Sequence, residues 1–167
     1  GKEWAVIPWY NRPWTVVLRF SDEKIRHYIA TLARETANND NIGYDQSQRT
    51  TFWLQLKQCG YRPKNIKTKC EGDCSAGVTA IVKATGYLLG NSALRNVPIT
   101  TTAYLKSALK KAGAKALKDK KYLTSDNYLL EGDILLYPGH HTAINLDDGS
   151  LAKSAPVKPK TKASTKK

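Results

Sequence analysis

The chain has 167 residues, of which 41% are hydrophobic and 25% are charged, a length and composition typical of one folded domain. No apolar run approaches the roughly 20 residues that a membrane-spanning helix requires, which argues against insertion into a membrane. The net charge of +13 suits a polyanionic partner such as nucleic acid or an anionic cell wall, although a solvated basic surface carries the same charge.

Aromatic residues dominate the first stretch, WAVIPWYNRPWTVVLRF at residues 4–20, which is strand-like with turn residues in its middle. We interpret residues 1–23 as an N-terminal strap or pair of strands across the body of the domain, with its tryptophans used for packing. The first ten residues contain one lysine and neither a clean apolar core nor a small-residue cleavage site. No secretory signal is therefore visible.

Helical periodicity and helix-ending glycines dominate the middle of the chain. They predict helices at residues 21–38, 50–60, 73–90 and 101–113. The segment between the first two helices is predicted to be a loop. Asp73 is a suitable cap for the third helix, which places Cys74 in its first turn, and Gly90 ends that helix.

After Gly113 the hydrophobic pattern changes to that of short strands. GDILLY at 132–137 and HTAINL at 141–146 are β-type runs, and DDGS at 147–150 is predicted to be a hairpin turn. Helices followed by a mostly antiparallel sheet indicate an α+β domain.

The last fifteen residues, 153–167, contain six lysines and no acid, together with Pro, Ser, Thr and Ala. Little in this segment can be buried, so it is predicted to be a disordered linker. Because linkers connect modules, we expect a further module to follow it in the full-length protein. Without the linker, residues 1–152 retain a net charge of +7.

The start of the third predicted helix has the chemistry of a nucleophile site. A thiol attacks as the thiolate, whose formation is favoured at a helix N-terminus and beside a histidine. Cys74 meets the first condition, and His141 can meet the second from a rigid strand. Strand alternation turns His140 to the opposite face, while His27 is expected on the surface of the first helix.

Other roles for the cysteines remain open at this point. A zinc site needs about four ligands, and adjacent His140 and His141 point to opposite faces, which disfavours a metal. A disulfide between Cys59 and Cys70 is possible and would leave Cys74 free. Three cysteines are a low and odd number, which does not fit a disulfide framework. The default alternative to a nucleophile is that Cys74 is simply a buried, unreactive cysteine.

Three motifs in order resemble the NlpC-type cysteine peptidases and amidases of phage or prophage endolysins: IGYDQSQR at 42–49, DCSAGV at 73–78 and GDILLYPGHHTAINLDDG at 132–149. The resemblance covers about residues 24–150. It implies a compact papain-like fold and cleavage of a peptide or amide bond in peptidoglycan, without a cofactor or metal.

Position by position, the resemblance implies Cys74 as nucleophile and His141 as general base and later acid. Tyr44 and Gln46 are candidates for binding the oxyanion or the stem peptide, whereas Asp45 and Arg49 could equally hold their loop in place.

The resemblance leaves the third catalytic residue open. Many members of that family carry a polar residue after the base, and Lys153 stands at the corresponding position here. A hairpin turn at 147–150 would place Ser154 diagonal to His141. Asn145 shares the face of His141 but lies about 13 Å along the strand, too far for contact. A backbone carbonyl or another element are further possibilities.

The leading hypothesis is a peptidoglycan hydrolase that acts on a Gram-positive wall as an endopeptidase or an amidase. In this hypothesis residues 24–152 are the catalytic domain, and the linker at 153–167 leads to a wall-binding module. The resemblance implies synthesis in the host cytoplasm and release at lysis. The alternatives are a basic module that binds nucleic acid and a degenerate hydrolase that only binds wall peptides. No nucleic-acid-binding signature is present, so nucleic acid is not expected as a partner; the oligomeric state stays open.

Overall fold

The computed structural model describes residues 2–152, so the predicted linker at 153–167 lies outside the described residues. The helices are α1 (Glu23–Ala37), α2 (Thr51–Gln58), α3 (Cys74–Leu89), α4 (Ser92–Arg95), α5 (Thr102–Lys111) and α6 (Lys120–Leu123), with a 3₁₀ turn at Pro63–Asn65. The strands are β1 (Lys2–Glu3), β2 (Val16–Arg19), β3 (Ile42–Tyr44), β4 (Cys70–Glu71), β5 (Lys115–Leu117), β6 (Ile134–Tyr137) and β7 (His141–Ile144).

The main sheet has four antiparallel strands in the order β5-β2-β6-β7. The predicted α+β class, with helices packed on a mostly antiparallel sheet, is confirmed. Val16 and Leu18 face the helices and Val17 faces a second apolar cluster that contains Trp14. Because Val16, Val17 and Leu18 are all buried, β2 has a covered surface on both faces, as expected of a strand inside the sheet.

Helix α3 forms the centre of the helical layer and packs against α1, α2, α4 and β7. Small and β-branched residues allow this close packing: Ala80, Ile81 and Ala84 are at most 1% exposed. Asp73 caps its start, and Gly90 ends it in the left-handed conformation, as predicted.

The start of β6 is fixed by a buried ion pair with β2. The Asp133 side chain is fully buried and accepts hydrogen bonds from Arg19 Nε at 2.9 Å and Arg19 Nη2 at 2.7 Å. The backbone N–H of Leu130 donates to the same carboxylate at 2.8 Å. Burial raises the pKa of Asp133, and the Arg19 guanidinium opposes that rise. The Asp of the GD motif is therefore a structural residue.

A second, three-stranded sheet has the order β1-β3-β4 and lies where the sequence predicted a loop. Strand β3 pairs in antiparallel fashion with β1 and in parallel with β4. The loop prediction for residues 38–49 was wrong at Ile42–Tyr44, because a three-residue strand leaves almost no periodic signal and only Ile42 is fully buried. This small sheet brings Tyr44 beside the start of the chain.

The predicted hairpin turn at 147–150 was also wrong. Strand β7 is the edge of the main sheet, and residues 146–152, the last that the structure describes, do not pair back onto it. Instead, Gly149 donates to the Leu129 carbonyl at 2.7 Å and Leu151 donates to the Asn127 carbonyl at 2.8 Å. The register argument for Ser154 therefore has no support, and Ser154 itself lies outside the described residues. Within residues 2–152, no helix has the length and apolar content needed to span a bilayer.

Candidate active site

Cys74 is the first residue of α3 and is 6% exposed. Asp73 accepts a hydrogen bond from the Ala76 N–H at 2.9 Å, which fixes the first turn and leaves the earliest N–H groups of the helix without intrahelical partners. The Cys74 thiol therefore lies at the positive end of a well-packed helix. That position offers backbone donors to a developing oxyanion.

Arg49 holds the start of α3 against the preceding loop. Its Nε donates to Asp73 Oδ2 at 2.7 Å, and its Nη2 donates to the Thr100 carbonyl at 2.7 Å and to Ser75 Oγ at 3.2 Å. Asp45 is likewise local, since it accepts the Ser47 N–H at 2.8 Å. These contacts show that Arg49 and Asp45 hold their loop in place.

His141 is the first residue of β7 and is partly buried. Its ring lies against Trp14, with ring centroids 6.2 Å apart and planes inclined by 31°. Burial lowers the pKa of His141 below the ordinary value of 6.5, and the positive charge of Arg12 lowers it further. The environment thus favours the neutral imidazole, which is the form able to accept a proton.

Cys74, His141 and Tyr44 line one cavity of about 430 Å³. Helix α3, which begins with Cys74, packs against strand β7, which begins with His141. Within residues 2–152 no hydrogen bond joins the Cys74 thiol to the His141 ring. In free enzymes such catalytic hydrogen bonds are often longer than in the substrate complex.

The two loop candidates are placed differently. Tyr44 lines the cavity, and burial together with interaction with the Cys74 side chain raises the pKa of its phenol. Its hydroxyl therefore stays protonated and can donate a hydrogen bond. Gln46 is exposed and is not among the residues that line the cavity.

The part of the N-terminal strap at residues 4–14, called the strap from here on, forms one wall of the cavity that Cys74 lines. It has no regular secondary structure in most of its length. Trp4 donates from Nε1 to the Gly43 carbonyl at 3.2 Å and packs against Gly77 of α3, where any Cβ would clash with its ring. At the other end Trp14 is 5% exposed and contacts His141.

The aromatic pattern of the strap predicts tryptophans used for packing, but it does not reveal that they also shape the cavity. Trp4 and Trp14 do pack, yet both line the cavity, and Tyr10 lines it with them. The Arg12 guanidinium lies 5.4 Å from the centroid of the Tyr10 ring. The signal available in the sequence was the density of aromatic residues between turn residues, which the helix-and-strand pattern does not explain.

His140 and Asn145 differ in their positions. His140 is exposed and stacks on Tyr137, outside the cavity. Asn145 lines the cavity, but its side-chain amide donates to the carbonyls of Leu130 and Asp147 at 2.9 and 2.8 Å. Asn145 is thus held by its own loop. Within residues 2–152 no side chain hydrogen-bonds to the His141 ring, so a third catalytic residue is not assigned.

The cysteines are all unpaired, so the possible Cys59–Cys70 disulfide is not formed. Cys59 Sγ contacts the carbonyls of Leu56 and Arg62, and burial raises the pKa of Cys70 to about 11. In the part of the chain that the structure describes, no group of three or more His, Cys, Asp or Glu is placed to hold a metal.

Residues 1–152 match the family model of the endolysin-like domain. The chain belongs to this family. No match was found among curated proteins or among solved structures. Membership indicates a hydrolase with a peptidoglycan-lytic role, so the substrate class of the endolysin-like domain is the bacterial cell wall. The match includes the strap, so strap and cleft belong to one family unit.

Proposed function

We propose that this endolysin-like domain cleaves an amide or peptide bond of peptidoglycan stem peptides, with Cys74 as nucleophile and His141 as base, in the manner of NlpC-type enzymes. The observation that carries the proposal is that a thiol at a helix start and a partly buried imidazole from a packed strand line one cavity. Both side chains come from rigid elements, which suits the positioning that catalysis requires.

The proposed reaction has two halves. Neutral His141 takes the thiol proton, and Cys74 Sγ attacks the carbonyl carbon, so that the C=O electron pair moves onto oxygen. Collapse of the tetrahedral intermediate breaks the C–N bond, and the imidazolium of His141 gives its proton to the leaving amine. Water, deprotonated by His141, then attacks the thioester carbonyl. The C–S bond breaks, the carboxylic acid leaves, and Cys74 Sγ takes back the proton from the His141 imidazolium.

Donors for the oxyanion come from two sources in this proposal. The first N–H groups of α3 have no intrahelical acceptor, and the Tyr44 hydroxyl stays protonated beside Cys74. We assign Gln46 to the outer rim, where an exposed amide can contact the stem peptide. No step requires a cofactor or a third catalytic side chain.

The biological setting follows the same reasoning. We place the substrate in the wall of a Gram-positive host, and we place synthesis in the host cytoplasm with release at lysis. The basic body of the domain suits a wall that carries anionic polymers, because opposite charge raises the local concentration of enzyme at the surface.

The test compares Cys74→Ala with the wild type on purified Gram-positive walls, followed by turbidity, with mass spectrometry of the released fragments. Cys59→Ala is the matched control, because it removes a thiol that lies outside the cavity. We expect wild type and Cys59→Ala to clear walls and Cys74→Ala to lose clearing while keeping its thermal unfolding midpoint. Clearing by Cys74→Ala would refute the mechanism. Fragment masses decide between endopeptidase and amidase.

A further inference from the structure

A second group of side chains, made of aromatic and basic residues, lies outside the cavity. Its members are three aromatic and three basic residues, here called the basic aromatic cluster: Trp53, Lys57, Tyr61, Lys83, Tyr87 and Arg95. They come from α2, α3, the end of α4 and the loop after α2. None of them lines the cavity that contains Cys74.

The aromatic rings of the cluster are held in a defined arrangement. Tyr61 and Tyr87 stack with ring centroids 4.3 Å apart and planes inclined by 7°, and Trp53 lies 6.0 Å from each of them. Tyr61 has a φ of +70°, and it is the one non-glycine residue with positive φ in residues 2–152. Because that conformation is costly for a bulky residue, packing of the cluster must offset the strain.

The three cations are held over these rings. Lys83 Nζ lies 5.1 Å and Lys57 Nζ lies 6.0 Å from the Trp53 ring centroid, while the Arg95 guanidinium lies 5.7 Å from that of Tyr87. These distances are within the cation–π range. Lys83 Nζ also donates to the Arg95 carbonyl at 2.8 Å, which fixes its head group.

No carboxylate neutralises this group of charges. The five ion pairs formed within residues 2–152 include neither lysine of the cluster nor Arg95. Desolvation lowers the pKa of Lys83, and the charge of Lys57 adds to the decrease, so the two ammonium groups are close enough to repel. Placing like charges together without a counter-charge is unfavourable, and an anionic ligand would remove the cost.

The arrangement favours a phosphate over a nucleobase as the bound group. Single-stranded nucleic acids bind through aromatic faces that are open to stacking bases. Here Tyr61 and Tyr87 cover each other, and cations stand over Trp53 and Tyr87. The rings therefore position ammonium and guanidinium groups, which are the donors that recognise phosphate oxygens.

We infer that the basic aromatic cluster binds the phosphate groups of an anionic wall polymer, at a site separate from the catalytic cavity. The choice of a wall polymer rests on the proposed function, because that function places the domain at the wall. Binding there holds the domain on the phosphate-bearing polymer while Cys74 and His141 act on neighbouring stem peptides. The linkage raises the effective concentration of substrate at the cavity.

The test measures binding with Cys74→Ala protein, so that wall cleavage does not interfere. The ligands are Gram-positive walls with their phosphate polymers intact and the same walls stripped with hydrofluoric acid. We expect the triple variant Lys57→Gln, Lys83→Gln, Arg95→Gln to bind intact walls roughly tenfold more weakly, in line with the modest energy of each exposed charge. Stripped walls should bind both proteins equally weakly.

The matched control removes three exposed lysines elsewhere, with Lys110→Gln, Lys111→Gln and Lys115→Gln. It lowers the net charge by the same amount and should bind intact walls like the parent protein. Thermal unfolding reports whether the triple variant is folded. The single change Lys57→Glu on the exposed surface of α2 gives a second variant, for which we expect weaker binding with an unchanged unfolding midpoint.

Three results would overturn the inference: equal loss of binding in the cluster and control variants, unchanged binding after stripping, or stronger competition by a single-stranded oligonucleotide than by poly(glycerol phosphate). Failure of the proposed function looks different, because wild-type protein would then fail to clear walls while cluster-dependent binding persists. Loss of cluster-dependent binding with clearing intact would refute this inference alone.

Discussion

The two walls of the catalytic cavity are built in opposite ways. One wall consists of the start of α3 and strand β7, both packed into the core and held by backbone hydrogen bonds. The other is the strap, residues 4–14, which is held mainly by a few aromatic side chains. The reactive groups Cys74 and His141 lie on the first wall, and the second wall adds apolar side chains that include Trp4, Trp9 and Trp14.

The first wall therefore positions the reactive groups, and the second wall shapes the cavity. Groups that transfer protons must be held within a fraction of an ångström, and packed helices and strands provide that precision. A segment without regular structure can change its side chains with little effect on the core. We therefore expect variants of the first wall to affect turnover or folding, and variants of the strap to affect substrate binding or pH dependence.

The largest expected effect is at His141. His141→Ala removes the proposed base, and kcat/KM on purified walls should fall by about a thousandfold, within the range for loss of a general base. His140→Ala is the matched control, since this exposed neighbour stacks on Tyr137 and lies outside the cavity. Equal losses in both variants would show that the turn, rather than the imidazole of His141, is needed.

Removal of the Arg49 side chain should damage the first wall by destabilising the start of α3. Arg49→Gln leaves the Asp73 carboxylate, 10% exposed, without its cation and should cost about 2–3 kcal/mol in the free energy of unfolding. Arg34→Gln removes an ion pair with Asp147 that is largely exposed, so its cost should stay below about 1 kcal/mol. Urea denaturation of both variants measures the difference, and similar costs would contradict the assigned role of Arg49.

The position of the strap should depend on Trp4, which anchors it to Gly43 and Gly77. Trp4→Ala removes a partly buried ring and should raise KM roughly tenfold with little change in kcat, because the cavity loses a wall and keeps its reactive groups. Gly77→Ala should produce the same phenotype by displacing the ring.

The double variant Trp4→Ala, Gly77→Ala should be no worse than either single change, because the added methyl group then has room. We expect a coupling free energy of about 1 kcal/mol between the two sites. Additive effects on KM would show that Gly77 and Trp4 act independently, and the contact between them would then be irrelevant to the cavity.

The smallest expected effect concerns pH. Below its pKa His141 is protonated and cannot accept the thiol proton, so kcat/KM falls on the acid side, and the lowered pKa places this limb below pH 6.5. Arg12→Gln removes a charge that disfavours the imidazolium, so the limb should move to higher pH. Arg12→Lys keeps the charge and should leave the limb in place. A shift in the opposite direction would contradict the assignment of the limb to His141.

Local signals in the sequence were sufficient for the first wall. A cap at Asp73, a stop at Gly90 and alternation on both sides of the PGH turn predict α3 and the β6–β7 hairpin, and the structure confirms them. These signals act over a few residues, and each has a direct physical cause in capping or in the pleat of a strand.

The second wall and the sheet order could not be predicted in the same way. Nothing near β2 indicates that it pairs with β5 and β6, because such partners are set by packing across the whole chain. The Asp-Gly pair at 148–149 predicts a hairpin turn that does not form, because contacts with distant parts of the chain determine the conformation of this loop. Asp147 accepts from Arg34, and Asp148 accepts from the Glu131 N–H, so the acids anchor a loop instead of a hairpin.

The central position of β2 in the main sheet has a consequence for synthesis. Residues 16–19 leave the ribosome early, but their partners at 115–117 and 134–137 follow only near the end of the domain. Pairing over such separations is slow, because the loop must close before the contacts form. A nascent chain can form α1 and α3 before the partners of β2 have been made. The cleft is therefore completed only when His141 has been translated and the main sheet forms around β2.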